Sequence, residues 1–257
     1  MKPQTSHTVL ITGASTGIGY ELAKLFARDK YNLVLIARNE ERLEKVALEL
    51  KNSYGIEVIH IGTDLAIPHA PQDIFHKLRE KEITIDILVN NAGVGVYGNF
   101  AETDLNKEIN MIDLNISSLV KMTKLFLPQM EIKRHGRILN VASLAGFMPG
   151  PGMAVYYASK AFVLHFSEAL TKELKDSGIT VTALCPGPTK TEFEKNADFS
   201  FSHALHRMDA QTVAQIGYTA LMKSTPVIIP GFRNKIFPLL IRFSPRRFVT
   251  YIVHKMQ

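Results

Sequence analysis

The chain has a single cysteine and no tryptophan among its 257 residues. A lone thiol excludes an internal disulfide framework, so a hydrophobic core must hold the fold, and the count fits a reducing compartment. Cys185 lies between an apolar run and Pro186, where packing rather than chemistry is the expected role. No stretch approaches the roughly 18 apolar residues that span a bilayer. MKPQTSHTVLITG contains no apolar segment before its first strand-like run, so a secretory leader is not expected. Acidic residues are missing altogether after Asp209, whereas Lys223, Arg233, Lys235, Arg242, Arg246, Arg247 and Lys255 follow it. The net charge of +6 is therefore a property of the C-terminal end. No helix-turn-helix, zinc-finger or RNA-binding signature accompanies those cations, which argues against a nucleic-acid partner.

What is present is an ordinary globular balance, 46% hydrophobic and 21% charged residues, in a chain whose length suits one α/β domain. Apolar runs of strand length alternate with amphipathic stretches of helix length. HTVLI (7–11), NLVLIA (32–37), IEVIHI (56–61), IDILVN (85–90), GRILNVAS (136–143) and ITVTALC (179–185) read as strands, with a seventh in STPVIIPG (224–231). Several are unbroken Val/Ile/Leu runs, as parallel strands covered on both faces require. Residues 18–29, 40–54, 71–81, 104–132, 154–177 and 210–223 read as helices, with Gly178 stopping the fifth. Strict alternation predicts an α/β, doubly wound Rossmann fold: a parallel seven-stranded sheet with helices on both faces, in a single domain over 1–257.

The first strand runs into TGASTGIG, where Gly13, Gly17 and Gly19 let the backbone turn tightly and approach a pyrophosphate at the start of a helix. At the tip of the second strand an NAD site usually carries an acid for the ribose 2′-hydroxyl. Here the strand ends Ile36-Ala37-Arg38-Asn39. Arg38 suits a 2′-phosphate, which favours NADP(H) over NAD(H), unless it merely pairs with Glu40 or Glu41.

YYASK (156–160) raises a narrower question, because two tyrosines precede one lysine. Positions i and i+4 share a helix face, so Tyr156 aligns with Lys160 and Tyr157 does not. A cation one turn away would stabilise a phenolate and bring a tyrosine, ordinarily near pKa 10, towards the working range.

TGASTGIG, NNAG (90–93), DLN with Asn115, NVAS with Ser143, YYASK and PGPTKT (186–191) together resemble the short-chain dehydrogenase/reductase family, in order and spacing, over most of residues 7–191. The resemblance implies hydride transfer between a nicotinamide and a carbonyl or alcohol carbon. It casts Tyr156 as proton donor, Lys160 as the residue that holds the ribose and lowers the tyrosine's pKa, Ser143 as the group that orients the substrate oxygen, and Asn115 as anchor of a proton relay. It sets Gly13, Ser15, Thr16, Gly17, Ile18 and Gly19 against the cofactor, with Asp64 and Leu65 at the adenine. Asn91, Ala92 and Gly93 would line the cofactor beside the fourth strand, as would Pro186, Gly187 and Thr189, with Thr191 at the carboxamide. No metal is implied. Thr189 stands where the family usually has an aliphatic residue, and Asn90 and Asn91 also suit a structural tie between strands.

Gly95-Val96-Tyr97-Gly98-Asn99-Phe100 is closer in pattern to hydroxysteroid-like and lipid-carbonyl reductases than to bacterial ketoacyl-carrier-protein reductases. Leu144, Phe147, Met148, Pro149, Met153 and Val155, with Phe193, Phe199 and Phe201 in a lid near 190–210, suggest an apolar carbonyl or alcohol substrate. A 3-oxoacyl thioester reductase and a non-catalytic NADPH-binding scaffold or sensor are the alternatives. A sugar-nucleotide epimerase would need a TGxxGxxG turn that is not here. Residues 232–257 mix cations with aromatic and aliphatic side chains, which suits peripheral contact with an anionic membrane or packing on a partner subunit. Pro238 and Pro245 should break any single long helix there. The resemblance further implies a homodimer or homotetramer packed through helices 104–132 and 154–177, in a cytoplasmic setting.

Overall fold

A strand buried on both faces must be apolar at every position, and the first strand shows why. In the computed structural model, which describes residues 7–193 and 207–256, β1 spans Thr8–Thr12. Val9 and Ile11 enter one core with Leu22 and Phe26, while Leu10 enters the other with Phe126 and Ile138. The chain continues through α1 (Gly17–Arg28), β2 (Asn32–Ala37), α2 (Glu40–Tyr54), β3 (Val58–Gly62), α3 (Ala70–Glu80) and β4 (Ile87–Asn90). Then follow α4 (Leu105–Ile112), α5 (Leu119–Lys133), β5 (Gly136–Val141), α6 (Ala154–Glu173) and β6 (Ile179–Leu184). β7 (Thr189–Lys190) pairs only with β8 (Met208–Asp209); α7 (Ala210–Met222), β9 (Val227–Ile228), α8 (Phe232–Phe243) and α9 (Arg246–Met256) complete the chain. Seven strands form one parallel sheet in the order β3-β2-β1-β4-β5-β6-β9, the doubly wound arrangement that the alternation predicts.

Helix starts follow Asx chemistry. Asn39 accepts from the Arg42 amide at 2.9 Å, Asp104 from Lys107 at 3.0 Å and Asp209 from Thr212 at 2.6 Å. Several boundaries differ from the sequence reading, and α6 ends at Glu173, short of the Gly178 stop expected for it. The long helix over 104–132 is divided by a π-helical turn at Asp113–Ser118. The seventh strand shrinks to Val227–Ile228. Of the two prolines expected to break a helix, Pro245 does so between α8 and α9, whereas Pro238 sits inside α8. A proline seven residues into a twelve-residue helix removes one hydrogen bond without ending it. Gly178 (φ +81°) lies beyond the end of α6, where a Cβ would strike the Arg134 carbonyl.

The strand order reverses between β1 and β4, which opens a crevice at their carboxyl ends. Among the described residues no helix is long and apolar enough to cross a membrane. Cys185 is fully buried, and burial pushes its thiol up to about 12.

Candidate active site

The crevice is stitched from below. Thr12 Oγ1 donates to the Val89 carbonyl at 3.3 Å and accepts from the amides of Asn91 and Ala92 at 2.9 and 3.0 Å. Asn91 Nδ2 returns to the carbonyls of Thr12 and Gly13 at 2.9 and 3.1 Å. Gly13 has φ +65°, and a Cβ there would stand 2.8 Å from that same Nδ2, so the tight approach requires glycine. Thr16, the residue before α1, makes no side-chain cap, which leaves the first-turn amides available to an anion. Asn90 serves the structural role foreseen for it: its Nδ2 donates to Asn140 Oδ1 at 2.9 Å and Thr123 Oγ1 at 3.1 Å.

A cavity of about 640 Å³ extends from this turn, lined at one end by Arg38 and Asn39 and also by Ser143, Met153, Tyr156 and Lys160. Ser15, Thr16, Gly17, Ile18, Leu65, Asn91, Ala92, Gly93, Pro186, Gly187, Thr189 and Thr191 line it as well. Gly19, Asp64 and Asn115 do not. Gly19 packs beneath the Gly13 carbonyl, and Asp64 spends its carboxylate on the Ala66 amide at 3.0 Å. Asn115 lies behind the wall: its Nδ2 donates to the Val94 carbonyl at 2.9 Å and Ser159 Oγ at 3.0 Å, while its Oδ1 accepts from the Val94 amide at 3.0 Å. A Cβ at Gly93 would come within 3.1 Å of that Oδ1 and 3.2 Å of Lys160 Nζ.

Arg38 is exposed and has no ion pair with Glu40 or Glu41. Arg42 is engaged instead, with both oxygens of Glu192 at 2.9 and 3.0 Å across the rim. Tyr156 is half-buried beside Ser143. Burial pushes its phenol up to about 12, a hydrogen bond from Ser143 acts downward, and Tyr157 adds to the rise. This corrects the expectation of a tyrosine lowered by Lys160. The ammonium donates to the Val141 carbonyl at 2.9 Å and lies 5.9 Å from the centre of the Tyr156 ring, and burial pushes Lys160 itself down to about 8. Desolvation of the phenol outweighs the downward effect of Ser143.

Of the apolar residues expected around the substrate, Leu144, Met148, Met153 and Phe193 line the cavity; Phe147, Pro149 and Val155 do not. Phe193 packs with its ring 5.2 Å from that of Tyr156. Phe199, Phe201 and the middle of the lid lie outside the described residues. Tyr157 packs against Met153 and over Gly150, and it also lines the cavity. The sequence reading missed Arg42, Glu192, Arg233, Asn234, Phe237 and Val253, which also line the cavity. The proline-glycine pair after the seventh strand could have flagged Arg233 and Asn234, because the loop there opens at the carboxyl edge of the sheet.

A sequence profile described as short chain dehydrogenase matches residues 7–199. The chain is 36% identical over 240 residues to the very-long-chain 3-oxoacyl-CoA reductase of Anas platyrhynchos, covering 90% of this chain and 75% of that protein. It is 39% identical over 227 residues to sulfoacetaldehyde reductase 2 of Chromohalobacter salexigens, covering 84% of this chain and 89% of that one. Among solved structures, a short-chain dehydrogenase from Sphingobium yanoikuyae in complex with NADPH superposes with a TM-score of 0.83 at 33% identity, over 93% of this chain and 97% of that one.

Proposed function

Because the chain belongs to the short-chain dehydrogenase family, we propose that it is an NADP(H)-dependent reductase of carbonyl compounds with a large apolar part. It is an oxidoreductase of the alcohol/carbonyl class with a nicotinamide cofactor. The observation that carries the finer reading is the meeting of Ser143, Tyr156 and Lys160 in one cavity with the glycine turn. The cradle left open by Gly13, Gly17 and Gly93 fits a dinucleotide, with Leu65 and Arg38 at its adenosine end and Thr191 at the other. When bound, the nicotinamide supplies the hydride.

The chain supplies the proton and the geometry. A phenol pushed up to about 12 is fully protonated at neutral pH, the state needed to donate to a carbonyl oxygen during reduction. Ser143, beside that phenol, orients the oxygen. Lys160 holds the ribose and adds positive charge. Both Asn115 Nδ2 hydrogens are spent on Val94 and Ser159 and its Oδ1 accepts from the Val94 amide, so in this reading its part in the relay falls to the main chain of the π-helical turn.

Arg38, free of any partner among the described residues, is proposed to bind the 2′-phosphate. NADPH oxidation over a panel of aldehydes, ketones, steroids and 3-oxoacyl thioesters, with NADH in parallel, tests the assignment. Arg38→Ala should weaken NADPH binding by about 10- to 100-fold and leave NADH binding unchanged. NADPH binding without turnover across the panel would favour the scaffold alternative. A 3-oxoacyl thioester is the second substrate reading, favoured by the relative named a 3-oxoacyl-CoA reductase.

Exposed Phe232, Leu239, Leu240, Phe243, Phe248 and Tyr251 alternate with cations along α8 and α9, which supports peripheral contact of a cytoplasmic enzyme with an anionic bilayer. Exposed Leu105, Ile109 and Phe162 on α4 and α6 support self-association through those helices.

A further inference from the structure

We infer that the carbonyl substrate carries an anionic group and that Arg233 is the residue that recognises it; the inference deepens the reductase reading and rests on it. Arg233 is the second residue of α8 and lines the cavity that holds Ser143 and Tyr156. Its neighbour Asn234 lies over Gly187, where a Cβ would come within 2.6 Å of Asn234 Nδ2. α8 also packs on the 3-10 turn Leu144–Phe147 that follows Ser143. Both contacts put Arg233 on the flank of the catalytic serine.

That location is the end of the cavity opposite Arg38 in the strand order. In the sheet order, β9 stands five spacings from β2, whose end carries Arg38, and four from β1, which leads into the glycine turn. At about 4.8 Å per spacing these are roughly 24 and 19 Å. Arg38 serves the far end of the cavity, and Arg233, on the helix that follows β9, is left for a ligand group on the Ser143 side.

Arg233 also has no counter-ion. Among the described residues it makes no ion pair, and no acid follows Asp209 in the chain. Glu192, the carboxylate that shares the cavity, is committed to Arg42. Phe237, Val253 and Met148 line the same cavity, so apolar surface adjoins the exposed guanidinium. A guanidinium beside such walls matches an amphiphile: an apolar body with a carboxylate, sulfonate or phosphate that takes two parallel hydrogen bonds.

The test uses a medium-chain keto acid and its neutral methyl ester, with the matching keto sulfonate and keto phosphate run to identify the anion. Wild-type enzyme should prefer the acid by about 10- to 100-fold in kcat/KM. Arg233→Gln should raise KM for the acid and abolish that preference, leaving KM for the ester and for NADPH unchanged. Arg233→Lys should restore part of the preference. Equal use of acid and ester by the wild type, or an equal loss for both in Arg233→Gln, would overturn the assignment. Calorimetric binding of the acid and the ester to the NADPH complex supplies a readout independent of turnover. An acid preference in binding that Arg233→Gln removes, with no carbonyl reduced, would leave the anion site standing and sink the reductase reading.

Discussion

Tyr156 and Tyr157 are adjacent in sequence and differ in every property that matters to chemistry. Tyr156 lies beside Ser143 with the Lys160 ammonium 5.9 Å from its ring centre, whereas Tyr157 packs over Gly150. Tyr156→Phe is expected to cut turnover by about 100-fold or more while NADPH still binds. Tyr157→Phe should keep most of the activity, and the reverse pattern in steady-state assays would exchange their roles. The i,i+4 spacing made this pairing legible in the sequence, because it needs only helical periodicity. The direction of the pKa shift was not legible, because spacing says nothing of burial. That burial carries its own consequence for pH. Lys160, pushed down to about 8, is charged below that value and neutral above it. If its charge assists reduction, kcat/KM should hold level at lower pH and fall as pH rises through about 8, while Tyr156 stays protonated throughout. A profile flat to pH 10 would remove Lys160's charge from the mechanism.

At the scale of elements, the join between β1, β4 and α5 rests on one carboxylate. Asp86, just before β4, accepts from the Thr8 amide and from Lys133 Nζ, both at 2.9 Å. Burial pushes its carboxyl up, but the Thr8 and Lys133 hydrogen bonds outweigh that and hold it below the usual range. The folded value lies below the unfolded one, so its stabilisation is present above the unfolded value near 3.8 and is lost as pH falls through the folded value. Asp86→Asn should therefore cost about 1–3 kcal/mol at neutral pH in denaturant melts, and the gap should close in acid. Most elements were legible, since two-sided apolar runs and Asx caps announce themselves. The π-helical turn was not, because DLNISS continues the same apolar spacing and only the demands of Val94 and Ser159 on Asn115 single it out. The seventh strand was over-read for a related reason: STPVIIPG is apolar throughout, yet it pairs with β6 at only two positions.

For the whole molecule, alternation along the chain was sufficient to predict the sheet and the crevice at its switch point. The motifs NVAS and YYASK located the serine, tyrosine and lysine that line it. The far wall was hidden, because the approach of α8 to Gly187 depends on where the last strand ends rather than on any motif.

That last strand sets how the molecule comes apart. β9 is held to β6 through the Ala183 and Cys185 amides, bonded to the Pro226 and Ile228 carbonyls at 2.8 Å each. No residue of the α8 helix beyond it is fully buried. β9 and α8 therefore have little to lose by detaching, the buried Val249 and Val253 of α9 being the main apolar hold beyond them, and their opening leaves β1, β4 and β5 intact. Amide hydrogen exchange should be orders of magnitude faster in β9 and α8 than in those three strands, and equal protection would contradict this. Such breathing would admit a bulky ligand from the tail side while the glycine turn keeps its shape, so loading and cofactor retention become separate events with separate energetic thresholds.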